Sequence, residues 1–220
     1  AILKKVLEAN HPSLYWYTPK QQLDSAFDNM FNSISDSLNE IEFRNKVAPW
    51  VAMIKCGHTT ALYSKKFIKE LPPYRYPRFP LQIKFWEDSA VVLSNGYFKD
   101  SIIQRGTIVQ TINNKPVAYY RDYLFKQITT DGYAINHQYQ TLSSSFPDSY
   151  KQVFGVDSTY LIGYINQAGK ADTISLGNFV PAPRDTGTNR PRPSIRQASL
   201  SNRQLRLLSL RSLSIDTVTH

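Results

Sequence analysis

The chain has 220 residues, of which 41% are hydrophobic, and this is enough apolar material for one sizeable core or two modest ones. Its single cysteine, Cys56, excludes an internal disulfide and any cysteine-based zinc site. No run of about 18 apolar residues occurs, so the sequence predicts no membrane-spanning helix. The four histidines show no close metal-ligand spacing, and we expect neither a metal nor another cofactor.

Helical patterns fill the first part of the chain, and residues 1–72 are predicted to form a three-helix bundle. The first helix is short. The second begins where Thr18 can serve as N-cap, with Pro19 at the first helical position. The third begins at a capping box that pairs Asn39 with Glu42.

The third helix leads directly to His58, the histidine with the most reactive surroundings. Its apolar stripe is that of an amphipathic helix, and Pro49 predicts a kink within it. Gly57 suits a left-handed position at the helix end, which would hold His58 and Thr59 at a fixed point. On the local sequence alone, His58 either caps helix carbonyls, which is the commoner role, or takes part in chemistry.

A proline-rich stretch at residues 72–77 marks the predicted boundary of a second domain, residues 73–180. There the apolar period changes from helical to alternating, as expected of strands. Strands are predicted at 81–85, 90–93, 107–112, 160–165 and 172–176, a helix at 117–128, and a partly helical insertion at about 129–155. Antiparallel strands with few helices, and without repeated βαβ units, indicate an α+β fold or a partly open barrel.

The remainder of the chain carries most of its positive charge. Residues 181–220 hold seven arginines and two acids, which is +5 of the net charge of +9. Proline, arginine and serine dominate residues 181–204, a predicted linker, whereas residues 205–220 are predicted to begin a further, missing domain with a strand. We expect no nucleic-acid partner, because neither interleaved aromatic residues nor a groove-reading helix accompanies the arginines.

Three segments carry a resemblance to a known family. The first is the proline-containing helix from Ala48 to Gly57-His58-Thr59. The second combines residues 79–83 (Phe-Pro-Leu-Gln-Ile) with residues 105–117, and the third is residues 208–216. In this order they resemble the helical cap, the PDZ-like module and the strand into the peptidase domain of C-terminal processing (tail-specific) serine peptidases, near their tricorn-core-like branch.

The resemblance implies a fold and a binding mode. The fold would be an N-terminal three-helix bundle followed by a PDZ-like antiparallel β domain with a helical insertion. Two positions depart from the family pattern. Thr107 replaces the usual aspartate after a glycine, and Pro80 removes an N–H donor from the loop that binds a terminal carboxylate. We therefore expect weak binding of extended polypeptide, with little discrimination between a free C-terminus and an internal segment.

The resemblance also implies site residues. His58 would be the general base of the complete enzyme. A peptide would bind between the strand at 81–85 and the helix at 117–128, in contact with Phe79, Leu81, Gln82, Ile83, Tyr120, Leu124 and Ile128. The nucleophile is expected outside this chain, because Ser143-Ser144-Ser145 lacks the small-residue-rich turn that carries it in the family.

The predicted function is that of a non-catalytic, substrate-recognition and regulatory portion of an exported serine peptidase, periplasmic or at the cell surface. Its partners would be an extended peptide or unfolded protein, and the missing C-terminal peptidase domain. Alone, the chain should hydrolyse no peptide bond. The alternative is a stand-alone peptide-binding module with no peptidase activity.

Overall fold

The computed structural model describes residues 2–70, 76–97 and 102–181, and the statements below concern this part of the chain. The strand predicted at 205–220 lies outside it, as does the predicted linker apart from its first residue. The helices and strands of the described residues are, in order, α1 Ile2–Asn10, α2 Lys20–Asn32, α3 Glu40–Ala52, α4 Lys65–Glu70, β1 Leu81–Phe85, β2 Ala90–Asn95, β3 Val109–Ile112, β4 Lys115–Pro116, α5 Val117–Phe125, α6 Ile135–Phe154, β5 Thr159–Ile165 and β6 Ala171–Gly177.

All the strand pairs are antiparallel, and the mixture of helices with antiparallel sheets confirms the predicted α+β class. β1 and β2 form a hairpin, and the second sheet has the order β4-β3-β5-β6. Two isolated bridges add to these sheets. Val91 pairs with Ile108, and Arg78 before β1 pairs with Phe179 after β6. The strands therefore follow one another around a partly open barrel.

Two hydrophobic clusters form the core. The helical cluster, from α2, α3 and the segment before α2, contains Trp50, whose Nε1–H donates to the Leu23 carbonyl oxygen at 3.0 Å. The barrel cluster lies among the strands, α5 and α6, and Phe146 of α6 packs there against Phe79 and Phe85. The described residues belong to one compact unit. The clusters fall on either side of the predicted domain boundary, and division into two domains stays a prediction.

Local signals located the start of α3 better than that of α2. The capping box of Asn39 with Glu42 is present at α3. The prediction of Thr18 as the N-cap of α2 is wrong, because Pro19 holds that position without a side-chain cap. Thr18 is buried, and its Oγ1–H donates instead to the Met53 carbonyl oxygen at 2.5 Å. That bond satisfies the hydroxyl and joins the approach to α2 with the end of α3.

Proline lies inside two helices. Pro49 lies within α3, as predicted, and Pro147 lies within α6, the helix that fills most of the predicted insertion. Ser145 in α6 has φ −130° and ψ 18°, which marks a kink. Because Pro147 has no N–H, the carbonyl four residues earlier loses its usual helical partner. That carbonyl belongs to Ser143, and it accepts a hydrogen bond from Gln82 Nε2 of β1.

Candidate functional site

His58 lies on an exposed loop after α3 that two hydrogen bonds connect to the segment before α6. The Gly57 N–H donates to Asp131 Oδ1 at 2.6 Å. The Gly132 N–H donates to the Lys55 carbonyl oxygen at 2.9 Å. We call residues 131–132 the Asp131 clamp. It determines where the backbone next to His58 lies relative to α6.

The glycine before His58 is required for space, not for a left-handed backbone. The residue with a positive φ in this loop is Lys55, at 57°, so the prediction of a left-handed Gly57 is wrong. A Cβ on Gly57 would lie 3.0 Å from Asp131 Oδ1. The close approach of the carboxylate to the backbone therefore excludes a larger side chain unless the clamp shifts.

A small cavity of about 360 Å³ lies beside the loop and is lined by His11, Cys56, His58 and Thr59, among others. His11 Nδ1 accepts a hydrogen bond from the Ser13 N–H at 3.3 Å, and His11 Nε2 lies 3.0 Å from Thr59 Oγ1. In the neutral ring the proton therefore resides on Nε2 and is donated to Thr59. Since such a ring cannot take the proton of Thr59, this pair does not form an activated nucleophile.

His58 is placed at the rim of this cavity, in an exposed position. In the described residues its ring has no hydrogen bond to a helix carbonyl or to a serine hydroxyl, and no group of three His, Cys, Asp or Glu side chains could hold a metal ion. The ring is accessible to a group supplied from elsewhere. Its role as a general base stays a prediction.

The predicted groove residues on the strand side belong mainly to the core. Phe79, Leu81 and Ile83 are 1%, 0% and 0% exposed, respectively. Gln82, on the opposite face of β1, is half-buried and donates to α6. These apolar residues can support a bound peptide from the core side of β1, but they do not form an open apolar surface along the strand.

The helix packed along β1 is α6 and not α5 as the groove prediction required. The Phe85 N–H donates to Ser143 Oγ at 3.0 Å, in a buried position. Together with the bond from Gln82, this contact closes the groove at the α6 kink. Of these two contacts, the bond from Gln82 follows from Pro147, which leaves the Ser143 carbonyl without its helical donor. The assignment of these residues to peptide binding stays a prediction, and binding there requires α6 to move.

The predicted groove residues of α5 and the segment after it lie in two different places. Tyr120 and Leu124 are buried in the barrel cluster. Burial raises the pKa of Tyr120, which stays protonated and donates to the Ile112 carbonyl oxygen at 3.0 Å. Ile128 is half-buried and lines a cavity of about 690 Å³ between the end of α3, the end of α5 and the start of α6. We call this cavity the α3–α5–α6 pocket.

Replacing Asp131 with alanine is expected to lower the free energy of unfolding by about 1 kcal/mol, because the Gly57 N–H loses its acceptor at a site that water can reach. Amide exchange at Gly57, measured by NMR, should become faster, and urea denaturation should report the stability change. Asp36→Ala is the matched control, since Asp36 is exposed and has no hydrogen bond in the described residues. Equal effects of the two substitutions would contradict the clamp.

Sequence reasoning missed Asp131, Ser143 and the α3–α5–α6 pocket. Each depends on contacts between segments far apart in the chain, such as the 74 positions that separate Gly57 from Asp131. Ser143 carried a local signal, because it lies four residues before Pro147 and its carbonyl must find another donor. The partner of that carbonyl could not be read from the sequence.

The sequence matches no protein-family model and no curated protein. The fold is similar to that of CPAF, a serine protease. A crystal structure of a CPAF mutant aligns with a TM-score of 0.56 at 8% identity, over 82% of this chain and 33% of that chain. The structure of mature CPAF complexed with lactacystin aligns with a TM-score of 0.54 at 8% identity, over 82% of this chain and 34% of that chain.

The chain thus spans about a third of the length of these CPAF chains. At such low identity the likeness concerns the fold alone. In the described residues, no helix is both long and apolar enough to cross a membrane. The described part of the chain therefore has an α+β fold similar to part of CPAF, with an exposed histidine on a loop that the Asp131 clamp fixes.

Proposed function

We propose that this chain is a non-catalytic, substrate-recognition portion of an exported protein related to C-terminal processing serine peptidases. In this proposal an extended polypeptide binds as a strand added to β1, in a PDZ-like manner. The serine nucleophile is supplied from outside the chain, and His58 serves as its base in the complete enzyme. The similarity of the fold to part of CPAF supports a protease-associated role.

The observation that carries the proposal is the outer edge of β1. β1 is paired with β2 on one side, and no other strand of the described residues joins its second side in the sheet. On that side the Phe85 N–H donates a hydrogen bond to a side-chain hydroxyl, Ser143 Oγ. A strand edge with unpaired backbone groups is a template for another chain, and one hydroxyl is easier to displace than a full strand.

The bound peptide would exchange this side-chain contact for backbone hydrogen bonds, each contributing about 0.5–1.5 kcal/mol net. The kink at Ser145 is the place where the first part of α6 can move away from β1. Phe79, Leu81 and Ile83 then support the peptide from the core, and Gln82 is freed to bind it. Tyr120 and Leu124 do not contact the peptide in this proposal. They pack in the barrel cluster, which supports α6.

Ser143→Ala is expected to strengthen binding of an extended, apolar peptide about 3–10-fold, because the Phe85 N–H is left without its intramolecular acceptor, an effect of about 0.7–1.4 kcal/mol. The measurement is a fluorescence titration with labelled peptide, with amide chemical shifts of β1 followed by NMR. Ser144→Ala is the matched control, since Ser144 is exposed and its hydroxyl donates to the Thr141 carbonyl oxygen. Unchanged affinity, or shifts outside β1, would exclude binding at this edge.

The alternative, a stand-alone peptide-binding module, shares the β1 interaction but gives His58 no role. In a complete protein that contains a nucleophile, His58→Ala would abolish peptide hydrolysis under our proposal. Retention of full activity would favour the alternative.

A further inference from the structure

We infer that the α3–α5–α6 pocket binds the apolar C-terminal end of a polypeptide, with the terminal carboxylate between two lysines. The site is separate from the edge of β1. The choice of polypeptide as the ligand class rests on the proposed function. The side chains that carry the argument are Met53, Phe125, Ile128, Ile135, Lys55 and Lys126.

The pocket has the size and lining of a ligand site. Its volume of about 690 Å³ lies within the range of roughly 300–1,000 Å³ typical of ligand pockets. Met53, Phe125 and Ile128 are half-buried, and Ile135 is 54% exposed, so apolar surface remains open to a partner. An apolar peptide end would cover this surface.

Two lysines give one side of the pocket a positive charge. Lys55 Nζ lies 3.7 Å from the centroid of the Tyr133 ring, which holds the ammonium group in place. Lys126 is exposed. In the described part of the chain neither ammonium forms an ion pair with a carboxylate. The nearby Asp131 carboxylate accepts the Gly57 N–H and keeps its negative charge, but it is one acid against two lysines, and the excess positive charge attracts a ligand carboxylate.

Hydrogen bonds join the walls of the pocket to one another. Gln138 Nε2 of α6 donates to the carbonyl oxygens of Phe125 and Ile128, at 2.9 and 3.4 Å. The bond from Gly132 to Lys55 joins the start of α6 to the loop after α3. A preformed site loses little conformational entropy when it binds, which favours a small ligand such as a chain end.

The test compares an apolar-ended peptide with its C-terminally amidated twin. The free acid is expected to bind the wild-type chain about tenfold more tightly, as one charge-assisted contact of about 1.4 kcal/mol would give. The preference should disappear in the double variant Lys55→Gln/Lys126→Gln. It should persist in the control Lys66→Gln, because Lys66 is an exposed lysine of α4 outside the pocket.

The outcomes separate this inference from the proposal for β1. Because Pro80 has no N–H to donate, we expect the β1 site to discriminate little between the two peptides, and Ser143→Ala should alter both affinities by similar factors. If both peptides bind equally well and Ser143→Ala strengthens both, the β1 proposal holds and the pocket inference is wrong. If the lysine variant removes the preference for the free acid and Ser143→Ala has no effect, the pocket inference holds and the β1 proposal is wrong. Displacement of the peptide by palmitate at a lower concentration than by the free-acid peptide would overturn the choice of ligand.

Discussion

Phe146→Ala is expected to lower the free energy of unfolding by about 3–5 kcal/mol, the usual cost of removing a fully buried ring. Phe146 is 0% exposed, and its ring centroid lies 5.2 Å from that of Phe79 and 5.0 Å from that of Phe85. The substitution leaves a cavity between α6 and β1, where the helix covers the strand. Urea denaturation followed by circular dichroism measures the loss.

Two controls separate the cavity from other effects. Phe146→Leu keeps most of the volume and should cost less than about 1.5 kcal/mol. Phe43→Ala removes a ring that is 46% exposed and should cost well under half as much as Phe146→Ala. A loss below about 1 kcal/mol for Phe146→Ala would mean that α6 does not pack on β1 as described.

Trp50→Ala is expected to destabilise the helical cluster by a similar amount, about 3–5 kcal/mol. The ring of Trp50 packs 5.0 Å from that of Phe27, and its Nε1–H donates to the Leu23 carbonyl oxygen inside the cluster. Trp50→Phe retains most of the packing and removes the donor, so it should cost about 1 kcal/mol more than packing alone predicts. Thermal and urea denaturation measure both variants.

Trp16→Ala is the matched control, because Trp16 is 75% exposed and its replacement should hardly change the free energy of unfolding.

The same denaturation curves test the predicted division into two domains at residue 72. If Phe146→Ala and Trp50→Ala shift one shared transition, the hydrogen bonds of the Asp131 clamp and of Arg44 with Gln127 couple the two clusters. Two transitions, each moved by one variant, would support separate domains.

The class of the fold could be predicted because its signals are local. The alternation of apolar residues in β1 and β5 and the capping box at Asn39 each depend on a few neighbouring residues. α5 ends three residues before its predicted end at residue 128, since the pattern of apolar spacing continues past the last helical turn. Patterns locate elements better than they locate element ends.

The candidate site was predicted less well, for a physical reason. Apolar residues such as Leu81 and Ile83 have the same pattern whether a peptide or the chain's own helix covers them. The choice between α5 and α6 as the neighbour of β1 depends on the path of the chain after residue 125. It also depends on Pro147, which turns a backbone carbonyl toward Gln82. Neither the path of the chain nor the partner of the freed carbonyl can be predicted from a few neighbouring residues.

The Arg78–Phe179 bridge has a topological consequence. The two residues exchange backbone hydrogen bonds of 3.0 and 2.9 Å, so the polypeptide enters and leaves the barrel at neighbouring positions. The first and last residues of the barrel segment therefore lie side by side. Circular permutation joins such ends with a short linker and opens the chain elsewhere. The turn at Gly169 between β5 and β6 is exposed, and a barrel opened there would keep all of its strand pairings.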